Sequence, residues 1–329
     1  MLTIRNCPST LLEGHKTFSR TALKRLFGGK RVSHLLPYQS NAVGSAVQPL
    51  FDQNRRVISL SGVQEKYSVL LDKNMLRLTR PDEKGIYILK PVPYGVQNAD
   101  QMPANEHLTM QIARQVFGME VAENTLVFFG DGTPAYLTKR FDYDASGAKL
   151  GQEDFASLAL RTPQTHGESY KYIGHYAEMF ELMQKYLNTY RVDAPKLLKL
   201  LIFNFLFSNG DAHFKNFSIL ETELGDYRLS PAYDLLNSRI HVKDTDFALD
   251  QGLLPSSMRR GQIATQFAKL ADLAGISPQI FDQVIARMVS GNEQVQQLVS
   301  ASFLSQSTQR NYLQHYQSRL KRLRKALND

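Results

Sequence analysis

The sequence predicts an α+β fold with two lobes and a cleft between them. The chain has 329 residues, enough for a sizeable core in each lobe. Its first ~140 residues contain segments in which apolar and polar residues alternate and which are bounded by Gly and Pro. Such segments are typical of strands. From about Glu153 onward the apolar residues recur mainly at helical spacing. We therefore expect a strand-rich N-terminal lobe at residues 1–141, an all-helical C-terminal lobe at 142–329, and a hinge near 139–144.

Four segments define the predicted N-terminal lobe. The stretch "VISLSGVQEKYSVLLD" at 57–72 predicts two strands joined by a turn of small residues, and "GIYILKP" at 85–91 predicts another strand. The stretch "NEHLTMQIARQVFG" at 105–118 carries Leu108, Ile112 and Val116 at helical spacing and ends at Gly118, which predicts a helix. The stretch "NTLVFFGDGTPAYLTKRFD" predicts a hairpin around "GDGTP".

A basic amphipathic helix is predicted at the C-terminal end. Its apolar face consists of Leu313, Tyr316, Leu320, Leu323 and Leu327, spaced by three and four residues. The net charge is +8, and a second basic cluster lies at residues 15–31. A basic surface can contact nucleic acid, but a solvated helix face explains the tail. We expect DNA contact by this chain to be at most indirect.

Composition excludes several classes of protein. Hydrophobic residues make up 43% of the chain, so it is globular and not disordered. A single cysteine, Cys7, excludes an internal disulfide and a cysteine-based zinc site. The start "MLTIRNCPST" has no apolar signal core, and no apolar run approaches the length of a membrane span. We expect no membrane contact and a cytoplasmic location.

A polar cluster follows the apolar stretch "FNFLF" in "FNFLFSNGDAHFKN". Asp211 and Asn216 form the pattern D-x-x-x-x-N, and Asp234 follows in "LSPAYDLLNS". Phosphoryl transfer requires these residue types, because one carboxylate positions and deprotonates the acceptor hydroxyl while an amide oxygen and a second carboxylate hold Mg²⁺. The protein-kinase catalytic loop has the same spacing from Asp to Asn. The expected catalytic loop is 209–216, and the expected metal-binding segment is 231–235.

The spacing alone leaves two other interpretations open. Asn and Asp also occur in helix-capping turns, where they bond to their own backbone. The pair "DAH" also suggests a metallophosphoesterase, but that chemistry needs further His and Asp clusters for two metals, and the eight histidines form none.

Three features outside the cluster favour a kinase. The turn in "SLSGVQEK" has small residues whose backbone N–H groups can approach phosphates, although Gly62 is its single glycine and it matches no Walker A pattern. Lys90 ends a predicted strand, where it can reach nucleotide phosphates. Glu106 opens the predicted helix and can pair with Lys90.

Taken together, these segments resemble the HipA-like serine/threonine kinases, the toxins of toxin–antitoxin systems. The resemblance is carried by "ISLSGVQEKYSVLL", "YILKP", "NEHLTMQIARQVFGMEVAE", "RFD", "EDFASL", "NGDAHFKNFSI" and "YRLSPAYDLLNS". It implies a two-lobed, protein-kinase-like fold that uses ATP and Mg²⁺.

The resemblance implies roles for individual residues. Asp211 matches the catalytic base, and Asn216 and Asp234 match the Mg²⁺ ligands. The segment 59–66 matches the loop over the phosphates, and "KRFD" matches the hinge strand beside the adenine. The expected nucleotide-binding residues are Ser61, Gly62, Val63, Gln64, Lys66, Lys90, Lys139, Phe141, Asp142, His213 and Lys215. Lys139 departs from the long form of the family, which has Glu before "RFD", so its contact to the nucleotide is an open point.

The chain is similar to the short, HipT-type branch of the family, because 58 residues before Ser59 are too few for the extra N-terminal subdomain of the long form. The branch implies a small HipS-like partner that replaces this subdomain, a DNA-binding HipB-like antitoxin, and an aminoacyl-tRNA synthetase as the protein substrate. It also implies autophosphorylation of Ser59, Ser61 or both. The alternatives are a catalytically inactive scaffold that binds antitoxin partners, and a small-molecule kinase of the aminoglycoside or choline type.

Overall fold

The computed structural model describes residues 4–40, 56–57, 65–243 and 245–328. Most of the predicted phosphate loop, including Ser59, Ser61, Gly62, Val63 and Gln64, lies outside the described residues. Within them the chain forms an antiparallel sheet followed by a mainly helical half, as the sequence predicts. The lobe boundary between residues 141 and 142 remains a prediction.

An antiparallel sheet is the framework of the N-terminal half. Its described strands are β1 (Arg56–Val57), β2 (Glu65–Asp72), β3 (Met75–Leu78), β4 (Tyr87–Lys90), β5 (Asn124–Phe128) and β6 (Pro134–Lys139). They lie in the order β1-β2-β4-β6-β5, and β3 pairs with β2. The predicted hairpin is confirmed, because β5 and β6 pair from Asn124–Thr138 to Phe128–Pro134.

Alternating side chains cover both faces of this sheet. Leu126 and Phe128 in β5 belong to the larger hydrophobic core, whereas Val127 and the following Phe129 belong to a second core beneath helix α1 (Arg20–Phe27). This period of two is the pattern of a strand buried on both faces. Helix α1 begins after Ser19, whose side chain accepts a hydrogen bond from the backbone of Ala22, a standard N-cap.

Helix α2 (Met102–Gln115) packs against β5 and β6 and is buried from Met102 to Ala113. The sequence places its start near Asn105, but the helix begins earlier. A short 3-10 turn at Ala99–Gln101 leads directly into it, and Pro103 occupies the first turn, where the missing N–H costs no hydrogen bond. Glu106 therefore lies in the second turn of α2 and does not open the helix.

The C-terminal half is mainly helical but contains one small sheet. Strands β7 (Gln152–Asp154), β8 (Ser218–Glu221) and β9 (Tyr227–Leu229) pair antiparallel, so the prediction of a purely helical lobe is wrong at this point. The strands have three or four residues each, too few for a clear alternation. The helices are α3 (Phe155–Leu158), α4 (Pro163–His166), α5 (Ala177–Tyr186), α6 (Tyr190–Leu206), α7 (Ile263–Leu273), α8 (Pro278–Ser290), α9 (Asn292–Ala301) and α10 (Gln306–Asn328).

The predicted C-terminal amphipathic helix is confirmed as α10. Tyr316, Leu320 and Leu323 are buried, and Leu313 packs at the edge of the core. Tyr316 stacks on Phe207 with the ring centroids 4.8 Å apart. No helix in the described parts of the chain is long and apolar enough to span a bilayer.

Candidate active site

A cleft of about 370 Å³ lies between the sheet and the C-terminal half. This volume is within the range of ordinary small-molecule sites. Strands β2, β4 and β6 form one wall, and Tyr233 and Asp234 belong to the opposite wall. Six of the predicted site residues line the cleft: Lys66, Lys90, Lys139, Phe141, Asp142 and Asp234.

Lys90 is held at the centre of the cleft by two carboxylates. Its ammonium lies 2.6 Å from Glu106 Oε1 and 2.5 Å from Asp234 Oδ1, and its side chain is only 4% exposed. Pairing of β4 with β6 sets Lys90 opposite Tyr136, and the ammonium lies 5.3 Å from that ring centroid. Burial opposes the charge, but Asp234 and Glu106 outweigh it and raise the pKa of Lys90. The predicted pair of Lys90 with Glu106 is thus present.

Asp234 is shared between two lysines. Lys66 lies 3.5 Å from its Oδ2 atom, opposite the Lys90 contact on Oδ1. Burial would raise the pKa of Asp234, but Lys66 and Lys90 outweigh burial and hold it far below its usual value. Asp234 also has φ +54, in the left-handed region that is unfavourable for residues other than glycine. Such strain is typical of functional sites, where the surrounding contacts maintain it.

Asp211 lies in the loop after α6, and neither Asp211 nor Asn216 is among the residues that line the cleft. The Tyr172 hydroxyl donates a hydrogen bond to its Oδ1 atom at 2.7 Å. The backbone carbonyl of Asp211 accepts from the Asn216 side-chain amide and from the His213 N–H, both at 2.8 Å. Burial raises the pKa of Asp211 to about 6, while the bond from Tyr172 and the charge of Lys171 oppose this rise. A carboxylate with this pKa is suited to accept a proton near neutral pH.

Ser238 connects the loop of Asp211 to the segment after Asp234. Its hydroxyl accepts from the Gly210 N–H at 2.8 Å and donates to the Ser208 carbonyl at 2.9 Å. The two predicted functional segments therefore hold each other in place.

Asn105 adds helix α2 to this arrangement. Its side-chain amide donates to the Asn237 carbonyl at 2.9 Å and accepts from the Asn237 N–H at 3.1 Å. Because Asn105 precedes Glu106, these bonds fix the partner of Lys90 relative to the segment that carries Asp234.

His213 and Lys215 do not line the cleft. Neither ring nitrogen of the buried His213 has a hydrogen-bond partner among the described residues, and burial lowers its pKa to about 3, so the ring is neutral. The Lys215 ammonium pairs with Asp154 at 3.1 Å. The structure therefore brings these two residues to the catalytic loop, but their expected role in nucleotide binding remains a proposal.

Residues of the predicted hinge also line the cleft. Lys139 ends β6 opposite Tyr87. Phe141 packs against Tyr233 with the ring centroids 5.6 Å apart, which provides an apolar surface suitable for a nucleobase. The carboxylate of Asp142 is held by Arg140 through two hydrogen bonds, of 2.9 and 2.5 Å.

The donor set fits a magnesium ion bound with nucleotide phosphates. Asp234 offers carboxylate oxygens, and the amide oxygen of Asn216 remains after its nitrogen has bonded to Asp211. The buried Oδ1 of Asn209 also has no hydrogen-bond partner in the described part of the chain. Among the described residues, no group of three or more His, Cys, Asp or Glu side chains is arranged so that it could hold a metal ion. Magnesium sites commonly use one or two carboxylates and complete their shell with phosphates and water.

Some residues of the site were not predicted from the sequence. Tyr172 and Lys171 lie in a 3-10 turn far from the catalytic loop in sequence, and Tyr233 and Tyr136 resemble ordinary core aromatics. A single sequence offers no signal for such long-range contacts.

Comparison with known proteins identifies relatives of this chain. The description "HipA-like C-terminal domain" matches residues 58–296. A protein of Haemophilus influenzae named "Putative kinase" is 24% identical, and the alignment covers 92% of this chain and 91% of that protein. Two Sinorhizobium fredii proteins, "Putative kinase Y4mE" and "Putative kinase Y4dM", are 32% and 35% identical over 55% and 58% of this chain. The chain spans less than half of each of these two, at 42% and 47%.

Two solved structures have the same fold. HipA of Shewanella oneidensis MR-1, in a complex with HipB and operator DNA, superposes with a TM-score of 0.60 at 22% identity, covering 82% of this chain and 65% of HipA. The Helicobacter pylori proinflammatory kinase CtkA superposes with a TM-score of 0.51 at 13% identity, covering 80% of this chain and 94% of CtkA. The chain thus has a kinase-like fold. Because the domain match covers more than half of the sequence, the chain belongs to the family with the HipA-like C-terminal domain.

Proposed function

We propose that this chain is an ATP- and Mg²⁺-dependent protein serine/threonine kinase. The observation that carries the proposal is the buried group at the cleft, in which Lys90 bridges Glu106 and Asp234. A kinase needs a lysine for the phosphates and a carboxylate for the metal in one place. The kinase names of the relatives support this reading.

Each of these side chains has a separate proposed role in phosphoryl transfer. Lys90 and Lys66 bind phosphate oxygens and are neutralised by carboxylates before a nucleotide arrives. Asp234 and Asn216 would hold Mg²⁺, which neutralises charge that develops on the phosphates. Asp211 orients the acceptor hydroxyl and accepts its proton. Phe141 and Tyr233 would contact the nucleobase through the apolar part of the cleft.

The test is transfer of labelled phosphate from γ-labelled ATP into a cell lysate. We expect the wild type to label protein, and Asp211→Asn to lose activity by several powers of ten while nucleotide binding survives. Asp282→Asn, on the exposed surface of α8, is the matched control and should keep full activity. Labelling of a small molecule would indicate a metabolite kinase, and no labelling would indicate a binding scaffold. If Asp211→Asn keeps more than about a tenth of the activity, Asp211 is not the base.

We further propose that the kinase is the toxin of a toxin–antitoxin system in the cytoplasm. The similarity to a HipA crystallised with HipB and operator DNA supports a DNA-binding antitoxin as one partner. A small HipS-like partner and an aminoacyl-tRNA synthetase as substrate are the finer parts of this proposal. Identification of the labelled lysate protein by mass spectrometry tests the substrate. Growth arrest by the wild type but not by Asp211→Asn tests the toxin role.

We also propose autophosphorylation of Ser59, Ser61 or both as a restraint on the kinase. Each phosphate would add about −1.5 to −2 charge and compete with the nucleotide for lysines such as Lys90. Intact mass of the freshly expressed protein should show phosphate on this segment, and the Asp211→Asn protein should show none. Ser59→Asp/Ser61→Asp should bind ATP more weakly than the wild type, and unchanged affinity would exclude the restraint.

A further inference from the structure

The carboxylate of Asp211 has two oxygens with different surroundings. Its Oδ1 atom accepts the hydrogen bond from Tyr172 at 2.7 Å. A base that receives the proton of an acceptor hydroxyl uses one oxygen for that hydroxyl. Oδ1 can therefore orient the group, and Oδ2, which has no hydrogen-bond partner among the described residues, is left for the acceptor.

Tyr172 is a rigid donor. Its carbonyl accepts from the Asp250 N–H at 2.9 Å, and its own N–H donates to the Ser169 carbonyl at 2.9 Å. Its ring meets His213 edge to face at a centroid distance of 5.1 Å, and the Lys171 ammonium lies 5.1 Å from its centroid. Both the backbone and the ring are therefore fixed before any acceptor binds.

The contact of Tyr172 differs in kind from the other bonds to the catalytic loop. Tyr176 donates to the carbonyl of Ala212 at 2.7 Å, and Asn216 donates to the carbonyl of Asp211. Those bonds hold the loop backbone. The Tyr172 hydroxyl instead holds the carboxylate of Asp211 itself. The backbone contacts do not restrict rotation of this carboxylate about the side-chain bonds. Lys66, Lys171 and Asp234 also act on Asp211 through their charges.

We propose that Tyr172 is a positioning residue for phosphoryl transfer, holding Oδ1 of Asp211 so that Oδ2 faces the acceptor hydroxyl. This inference rests on the proposed kinase function. In the transfer, the acceptor oxygen forms a bond to the γ-phosphorus, the bond from that phosphorus to the bridging oxygen of ADP breaks, and Asp211 takes the acceptor proton. A correctly oriented carboxylate aligns the acceptor oxygen with the γ-phosphorus. A small misplacement of reacting groups lowers the rate about 100-fold.

The test compares three variants with the wild type in the lysate assay at saturating ATP, with ATP·Mg²⁺ affinity measured by calorimetry. Tyr172→Phe keeps the ring and loses the hydroxyl, and its kcat should fall about 100-fold while the Kd for ATP·Mg²⁺ stays within about twofold. Replacement of Tyr172 by 3-fluorotyrosine keeps the hydroxyl and should restore most of the rate. Tyr176→Phe is the matched control, because it removes a hydroxyl bonded to the loop backbone. Its Tm should fall, but its kcat should fall less than about fivefold.

Four outcomes would overturn the inference. If the kcat of Tyr172→Phe stays within about threefold of the wild-type value, the Tyr172 hydroxyl is not required for transfer. A variant that loses ATP affinity as strongly as rate assigns Tyr172 to nucleotide binding. Phosphate found on Tyr172 of the wild type makes the hydroxyl an acceptor and not a positioning group. A wild type that binds no ATP and transfers no phosphate overturns the proposed function and this inference with it, whereas the first three outcomes leave the proposed function intact.

Discussion

Lys90→Met removes the ammonium that contacts both the buried Glu106 and the partly exposed Asp234. Among the described residues, Glu106 and Asp234 are then left with Lys66, 3.5 Å from Asp234, as their nearest cation. Breaking a buried ion pair by removal of one partner costs about 3–5 kcal/mol, because an uncompensated charge stays buried. For 329 residues, with ~2.1 cal/mol/K of unfolding entropy per residue, this corresponds to a fall in Tm of roughly 4–7 °C.

The loss of stability should depend on pH. Burial already raises the pKa of Glu106, and removal of the Lys90 ammonium takes away the main group that lowers it. A carboxyl whose pKa is higher in the folded state than in the unfolded state contributes stability at low pH and loses it as pH rises through the folded pKa. Asp234, with its depressed pKa, stabilises the wild type above the unfolded pKa and loses this contribution only as pH falls through the folded pKa, so it is the same at pH 5 and pH 7 and the difference between them comes from Glu106. The difference between wild type and Lys90→Met should therefore be largest near pH 7 and smaller at pH 5.

Urea unfolding at the two pH values measures this difference. Arg228→Met is the matched control, because Arg228 also lies 2.8 Å from a carboxylate, that of Glu120, but the two side chains are 32% and 49% exposed. An exposed pair of this kind contributes at most about 1 kcal/mol. A loss below about 1 kcal/mol for Lys90→Met at pH 7, or an equal loss at pH 5 and pH 7, would refute the reasoning.

Three further predictions concern the catalytic loop and its supports. Because the pKa of Asp211 is raised to about 6, the rate of transfer should fall about tenfold per pH unit below that value, and a flat rate from pH 5 to 7 would contradict its role as base. Asp234→Ala should lose Mg²⁺-dependent ATP affinity in calorimetry more severely than Asn216→Ala, since a carboxylate offers the metal full charge and an amide only a dipole; equal affinity in wild type and Asp234→Ala would exclude Asp234 from the site. Ser238→Ala leaves the Gly210 N–H without its acceptor and should lower the free energy of unfolding by about 1–3 kcal/mol in urea, whereas a loss under about 0.5 kcal/mol would show that the bond is dispensable.

Local patterns were sufficient to predict a large part of this fold. The hairpin of β5 and β6 and the amphipathic α10 follow from periodicity within one segment. The pairing of Lys90 with Glu106 follows from the position of one at a strand end and of the other early in the next helix. The start of α2 was placed too late, because the 3-10 turn before Met102 has no apolar periodicity and Pro103 looks like a boundary when it is a first-turn residue.

Contacts between distant segments could not be predicted in this way. Strands β7–β9 are stabilised by one another and not by their own sequence pattern, so they were missed. The bond from Tyr172 to Asp211 depends on how the segment before α5 crosses the catalytic loop, and neither residue signals the other. The position of His213 and Lys215 away from the cleft lining was also not predicted. The motif gives the order of these residues along the chain but not the direction in which their side chains point.

The packing of α2 has a consequence for how the protein is made. The Thr109 hydroxyl bonds to that of Tyr312 at 2.9 Å across 203 positions of the sequence, and the Asn6 side chain bonds to the carbonyl of Ala301 at 2.7 Å. A ribosome releases α2 long before it releases these partners, since synthesis proceeds from the N-terminus. The helix that carries Glu106 gains its final packing only when α10 has emerged. A growing chain therefore cannot complete the packing of α2 until α10 has left the ribosome.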